Sequence, residues 1–245
     1  MKKVIALHTS RRNQNTYNIL VQIKDVLANN DIEVRIISLY DLNIKDCIGC
    51  EYCIHHDTCV VKDEAEELMK ALQLADGIII SSPVYLQQVS GKMKTFIDRT
   101  CRWFHRPVLS EKPILSVATT KGSGLKETLS YLESVTVQWG GMNAGKIGRT
   151  IRNINQPVKQ KELDKFIKLI NNPSSYNPPL KSLINFEVQK SLAQLLLELD
   201  VEFWENKGWN NKPYYNNCKI NPFKRFIASS IGKSIRKGMN KNKTT

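Results

Sequence analysis

Four cysteines fall within thirteen residues of this chain, Cys47, Cys50, Cys53 and Cys59, in the spacing Cys-x2-Cys-x2-Cys-x5-Cys. Three thiolates two residues apart can converge on one inorganic centre from a single tight turn, and the fourth closes the shell. Zinc sites and iron–sulfur clusters are both held in this way, and a compact run of two-residue gaps favours a [4Fe-4S] cubane over a zinc knuckle. The same residues also read as free thiols packed in a loop. His55 and His56, between the third and fourth cysteines, are either further ligands or surface residues of a polar loop. Cys101 and Cys218 stand apart and read as packing residues.

A second group of residues suits an anion. Thr9-Ser10-Arg11-Arg12-Asn13-Gln14-Asn15-Thr16 follows a short apolar run and leads into a helical pattern. Hydroxyls, amides and two guanidinium groups at a helix N-terminus form a phosphate site, because backbone N–H groups point outward there. An ordinary capped helix start, with Asn15 or Thr16 as N-cap, is the simpler alternative. No G-x-G-x-x-G occurs here, which favours a mononucleotide phosphate over a dinucleotide. Ser82-Pro83-Val84-Tyr85-Leu86 is a proline-stiffened turn that can lay backbone groups along a flat ring. Thr119-Thr120-Lys121-Gly122-Ser123-Gly124 allows close approach of backbone to a ligand.

The elements that must position these loops alternate between two periodicities. Val4–Leu7, Glu33–Ser38, Gly77–Ser81, Ile114–Ala118 and Asn143–Ile147 read as strands. Ile78, Ile79 and Ile80 in a row mark a strand buried on both faces. Helical patterns cover about 16–29, 65–72, 91–101, 125–139 and 158–170. Five strands interleaved with five helices predict an α/β fold, a doubly wound five-stranded parallel sheet covered on both faces. Such sheets bind ligands beyond the carboxyl ends of the strands. Pro173, Pro178 and Pro179 mark a boundary between a domain at 1–172 and a helical, basic extension at 173–245. In the extension, Leu183, Val188, Leu192, Leu195 and Leu199 predict one helix, and Pro222 to Met239 a last one.

The motifs together resemble the NADPH-dependent FMN reductase branch of the flavodoxin-like superfamily. The resemblance rests on Ser10-x-Arg12-x-x-Asn15-Thr16, on Ser82-Pro83-Val84-Tyr85, and on Gly91-Lys92-x-Lys94-x-Phe96-Ile97-Asp98-Arg99, and covers about residues 1–171. It implies a flavodoxin-like sheet of order 2-1-3-4-5. It implies that Ser10, Arg12, Asn15 and Thr16 hold the FMN phosphate, and that Pro83, Val84, Tyr85 and Leu86, with Thr120 and Gly122, flank the ring. The cysteine pattern is similar to that of the iron–sulfur flavoproteins, in which Cys47, Cys50, Cys53 and Cys59 would hold a [4Fe-4S] cluster. The implied activity is NAD(P)H oxidation through FMN, with a quinone, nitro compound or flavin as small acceptor. An iron–sulfur version relays single electrons to a ferredoxin-like partner. No catalytic acid or nucleophile is needed, and Asp98 and Arg99 read as braces of a helix or dimer contact. A homodimer or homotetramer is expected.

The net charge of +13 is uneven: beyond Glu205 there are ten Lys and Arg and no acid, while residues 1–205 carry only +3, from 26 basic against 23 acidic side chains. A basic tail on a balanced body excludes a nucleic-acid stripe along the whole molecule. Phe223, Phe226, Ile227, Ile231, Ile235 and Met239 are predicted to line one face of the last helix, opposite Lys224, Arg225, Lys233, Arg236 and Lys237. That amphipathic pattern suits an interfacial helix, as in a flavin-bearing membrane-surface or interaction protein that uses the basic tail; the expected alternative is packing on the body or a partner subunit, with membrane contact weak at most. With no signal-like N-terminus and clustered cysteines, a cytoplasmic protein is expected.

Overall fold

Ile78, Ile79 and Ile80 are each fully buried, because the strand that carries them lies at the centre of the sheet. In the computed structural model, which describes residues 1–194 and 197–242 with side chains through 239, five parallel strands run in the order β2-β1-β3-β4-β5. They are β1 (Lys2–His8), β2 (Ile32–Ser38), β3 (Gly77–Pro83), β4 (Pro113–Thr120) and β5 (Met142–Thr150). The flavodoxin-like order expected from the sequence is the one observed.

Side chains alternate across the strands, so Val4 and Ala6 feed one core while Ile5 and Leu7 feed the other. The first core takes α1 (Asn15–Ala28) and α7 (Gln160–Asn171). The second takes α3 (Ala65–Leu74), α4 (Gly91–Arg99) and α6 (Leu125–Gln138). Two short helices were not foreseen: α2 (Tyr52–His56) within the cysteine loop, and α5 (Arg102–His105) just after α4. The chain leaves β1 for β2 on one side and β3 pairs with β1 on the other, which opens a crevice at the carboxyl edge.

Beyond Pro173 the chain forms α8 (Leu180–Ala193), α9 (Glu198–Asn206) and α10 (Pro222–Asn242). The single helix predicted through Leu183 to Leu199 is therefore two; Leu195 lies outside the described residues. Phe186, Trp204, Trp209, Tyr214 and Tyr215 pack ring against ring and join the first core. α8 is enclosed, so polar side chains are buried on it too. Gln189 donates to the carbonyls of Phe104 and Gln138 at 2.7 and 2.8 Å. The predicted apolar face of α10 is rotated: Ala228 and Gly232 are buried, while Phe223 and Phe226 are 72% and 70% exposed. Gly232 lets α10 approach Glu187 of α8, and that close approach also brings Arg236 inward to Glu187 at 3.4 Å.

Candidate functional site

Two pockets open at the carboxyl edge. The first, of about 310 Å³, is lined by Ser10, Arg12, Gln14, Asn15, Thr16, Pro83, Val84, Tyr85, Thr119, Thr120 and Lys121. It thus brings together eight of the ten residues predicted for a flavin. Leu86 and Gly122 belong to the same loops but not to this lining. Among the described residues no side chain caps α1, so the N–H groups of its first turn face the pocket without a side-chain acceptor. Thr16 turns its hydroxyl inward to Thr119 at 2.6 Å, which ties α1 to β4 and leaves its backbone at the pocket. Thr120 braces its own loop, accepting from Gly122 N–H and donating to Ser123 carbonyl, both at 3.0 Å. Burial pushes the neighbouring His8 imidazole below its ordinary value.

The turn after β3 is held in an unusual shape. Leu86 and Gln87 both have positive φ, 47° and 66°, and Tyr85 and Gln88 exchange backbone hydrogen bonds across them. Left-handed backbone at two consecutive non-glycine residues is a costly conformation that surrounding structure must enforce. Its result is a fully exposed Leu86 beside a half-exposed Tyr85 at the pocket rim.

The second pocket, of about 420 Å³, is lined by all four cysteines of the motif, together with Ile48, Gly49, Glu51, Ile54, Val61, Asp98 and Cys101. Cys101 was read from the sequence as a packing residue, and the structure corrects this. The short step from α4 to α5 places its sulfur 3.5 Å from that of Cys53. The hydrogen bond from Cys101, helped by the positive charge of Arg102 and Arg106, pulls the Cys53 thiol down against the opposing effect of burial. Cys101 is pushed up in consequence. His55 and His56 are exposed and outside the lining. Among the described residues, no three of His, Cys, Asp or Glu converge as the ligands of a single metal ion.

Three buried arginines hold this loop, and the sequence reading missed that role. Arg99 is ion-paired with Asp63 and donates to the carbonyls of Lys45 (2.9 Å) and Val61 (3.0 Å) and to the Cys59 sulfur (3.4 Å). Burial alone would raise the Asp63 carboxyl; the bonds from Arg99 and from the N–H groups of Lys45 and Ala65 outweigh it and hold it below 3.8. Arg102 grips Glu66 of α3 through two bonds of 2.8 and 2.7 Å and reaches the loop through an ion pair with Asp57 at 3.6 Å. Arg106 donates to the carbonyls of Cys53 and Ile54 at 2.9 and 3.0 Å and to Asp57 at 3.0 Å. The signal available in the sequence was their spacing, i, i+3 and i+7, one face of a helix.

Comparison with known proteins agrees with this geometry. The model of the NADPH-dependent FMN reductase family matches residues 2–155. An iron–sulfur flavoprotein of Archaeoglobus fulgidus is 32% identical over 226 residues, 85% of this chain and all of the relative. One from Methanocaldococcus jannaschii is 37% identical over 198 residues, 68% of this chain and 99% of the relative. Among solved structures, an NADH:FMN oxidoreductase in its apo form superposes with a TM-score of 0.50 at 20% identity, over 71% of this chain and 88% of that one. RosB superposes with 0.54 at 11% identity over 86% and 88%. These last two likenesses show the fold. The chain belongs to the NADPH-dependent FMN reductase family, among its iron–sulfur flavoproteins.

Proposed function

We propose that this flavoprotein exchanges electrons between a two-electron donor or acceptor at FMN and a one-electron, ferredoxin-like partner, with a [4Fe-4S] cluster in the cysteine pocket. The observation that carries this reading is the placement of α4. Its first residue follows the loop that begins at Pro83 in the flavin pocket. Its last turn supplies Asp98 to the cysteine pocket's lining and Arg99 to its brace, with Cys101 two residues on. Nine residues of helix span about 13 Å, so one rigid element joins the two pockets.

The residue types at each pocket are those that these groups take. At the first pocket, the uncapped N–H groups of α1, the Ser10 hydroxyl and the exposed Arg12 suit the phosphate of FMN. Pro83, Val84 and Tyr85 supply an apolar and aromatic wall for a flat ring. When bound, FMN supplies both hydride and single-electron chemistry. At the second pocket the donors that line the cavity are thiols, the ligand type of iron–sulfur clusters, and the chemistry supplied would be one-electron transfer. Cys47, Cys50, Cys53 and Cys59 would hold the cluster. Arg99, by donating to Cys59 sulfur, offsets thiolate charge there.

A second reading, a plain NAD(P)H oxidoreductase with free thiols, is favoured by the exposed rim of Tyr85 and Leu86. That rim leaves room for a nicotinamide, quinone, nitro compound or free flavin to stack, or for a second copy in a homodimer or homotetramer to cover Leu86. The two readings part on Cys50→Ala, purified without oxygen. In the cluster reading this variant loses iron and sulfide but keeps FMN and its bleaching by NADPH or NADH. Zinc without sulfide in the wild-type protein, or iron unchanged in the variant, would count against the cluster.

A further inference from the structure

Among the described residues, none of the C-terminal extension lines either pocket. It nevertheless reaches the cysteine loop through α5. Asp200, on α9, is fully buried and ion-paired with the buried Arg106. Its other carboxylate oxygen accepts from His105 Nδ1 at 3.0 Å. Trp204, one turn further along α9, donates its indole N–H to the His105 carbonyl at 3.0 Å, and Gln189 of α8 donates to that of Phe104. The extension therefore grips three consecutive residues of one short segment, Phe104, His105 and Arg106.

Arg106 passes that grip on. A guanidinium carries its N–H donors in one rigid plane, so fixing one edge fixes where the others point. One edge meets Asp200. Nη2 donates to the carbonyls of Cys53 and Ile54 within α2, and Nε to Asp57 just after it. The carbonyl of Cys53 is thus linked through Arg106 to the C-terminal extension, and its sulfur lies 3.5 Å from that of Cys101. Removing the charge of Asp200 would leave the buried Arg106 with the exposed Asp57 as its remaining anion, and would release the edge of the guanidinium that Asp200 fixes.

We propose that Asp200 is a positioning residue for the cysteine pocket: through Arg106 the C-terminal extension sets the place of Cys53. One arm of the test rests on the cluster reading above, and the other does not. Wild-type full-length protein is compared with Asp200→Asn, which keeps the shape and removes the charge. In the first arm, FMN, iron and sulfide are measured per chain after anaerobic purification. In the second, the metal-free full chain is treated with diamide, which takes two electrons and two protons from a pair of thiols as the S–S bond forms. The rate of the Cys53–Cys101 disulfide is followed by peptide mapping.

The expected result is a cross-link slowed about tenfold, with iron and sulfide reduced and FMN unchanged. A cross-linking rate within about twofold of wild type would overturn the proposal, as would loss of FMN and cross-link in parallel, which marks general unfolding. Should Asp200→Asn not fold, Trp204→Phe removes the hydrogen bond to His105 together with part of the buried indole, and FMN content reports whether the body stays folded; slower cross-linking with FMN retained supports the proposal and an unchanged rate rejects it. A wild-type protein without iron would defeat the cluster reading while leaving the cross-link to decide this one.

Discussion

In the pocket around Ser10–Thr16 the charge and the helix end stand open: no side chain caps α1, and Arg12 is exposed. In the pocket around Cys47–Cys59 the charged groups are already engaged, Arg99 with Asp63, Arg102 with Glu66 and Arg106 with Asp200. The first pocket is made by topology. Three strand ends bring three short loops together, and the first-turn N–H groups of α1 and the Arg12 guanidinium are left without a side-chain partner among the described residues. The second is a long loop with one five-residue helix of its own, so its shape has to be imposed by side chains from elsewhere. A ligand site on strand ends is pre-formed by the sheet, whereas a ligand site on a loop needs tethers.

The difference can be broken most sharply at Arg106. Arg106→Ala removes three tethers of the loop and strands Asp200 in the interior, at a cost of about 3–5 kcal/mol. Thermal denaturation should show the loss, and hydrogen exchange should quicken over residues 47–59 while the amides of β1 and β3 keep their protection. Uniform quickening would erase the distinction between the two regions.

Arg12→Ala is the converse experiment. It should weaken FMN binding about tenfold or more, by loss of a charge-assisted phosphate contact, and leave the flavin-free melting temperature unchanged because Arg12 is exposed. An equilibrium titration with FMN reads this directly; a destabilised apoprotein would show that the phosphate loop, too, is tethered by its charges.

A smaller effect is expected from acid. Asp63 titrates below its unfolded value of 3.8, so its pair with Arg99 contributes in full above about pH 4 and is lost as pH falls through the folded value. Thiol accessibility of Cys59 should therefore stay flat from neutral pH to about 4 and rise below it. In Asp63→Asn it should be high throughout, and the two curves should meet in acid. The smallest effect is that of Gly232→Ala. An added Cβ would lie 2.5 Å from Glu187 Oε2 and 3.0 Å from its Cβ, forcing α10 away from α8 at a cost of about 1 kcal/mol. Neither pocket should respond, and FMN and thiol assays should match the wild type.

What the sequence made legible follows the same division. The isoleucine run at 78–80 and the helical stripes gave the parallel sheet and its helices, because local periodicity reports burial directly, while the strand order came from the family resemblance. Ser10–Thr16 and Pro83–Tyr85 were legible as parts of one candidate site because each is one contiguous loop at a strand end, and the structure brings them to one pocket. Cys101 was not, since it reaches Cys53 only through the turn that ends α4. The arginine stripe at 99, 102 and 106 was visible, but its partners are as far away as Asp200, and no spacing rule connects them. The face of α10 was misjudged because hydropathy alone gave Phe223 and Phe226 to the interior, whereas the contact was set by the small residues Ala228 and Gly232. No helix among the described residues is long and apolar enough to cross a membrane.

The most direct test of the account is to assay flavin, iron and sulfide in the full-length protein purified without oxygen, alongside its visible spectrum. The account predicts about one FMN, about four iron and about four sulfide per chain, with a broad visible shoulder beneath the flavin bands. A chain that neither carries nor binds FMN, or one that holds FMN with zinc or no metal in the cysteine pocket, would contradict it.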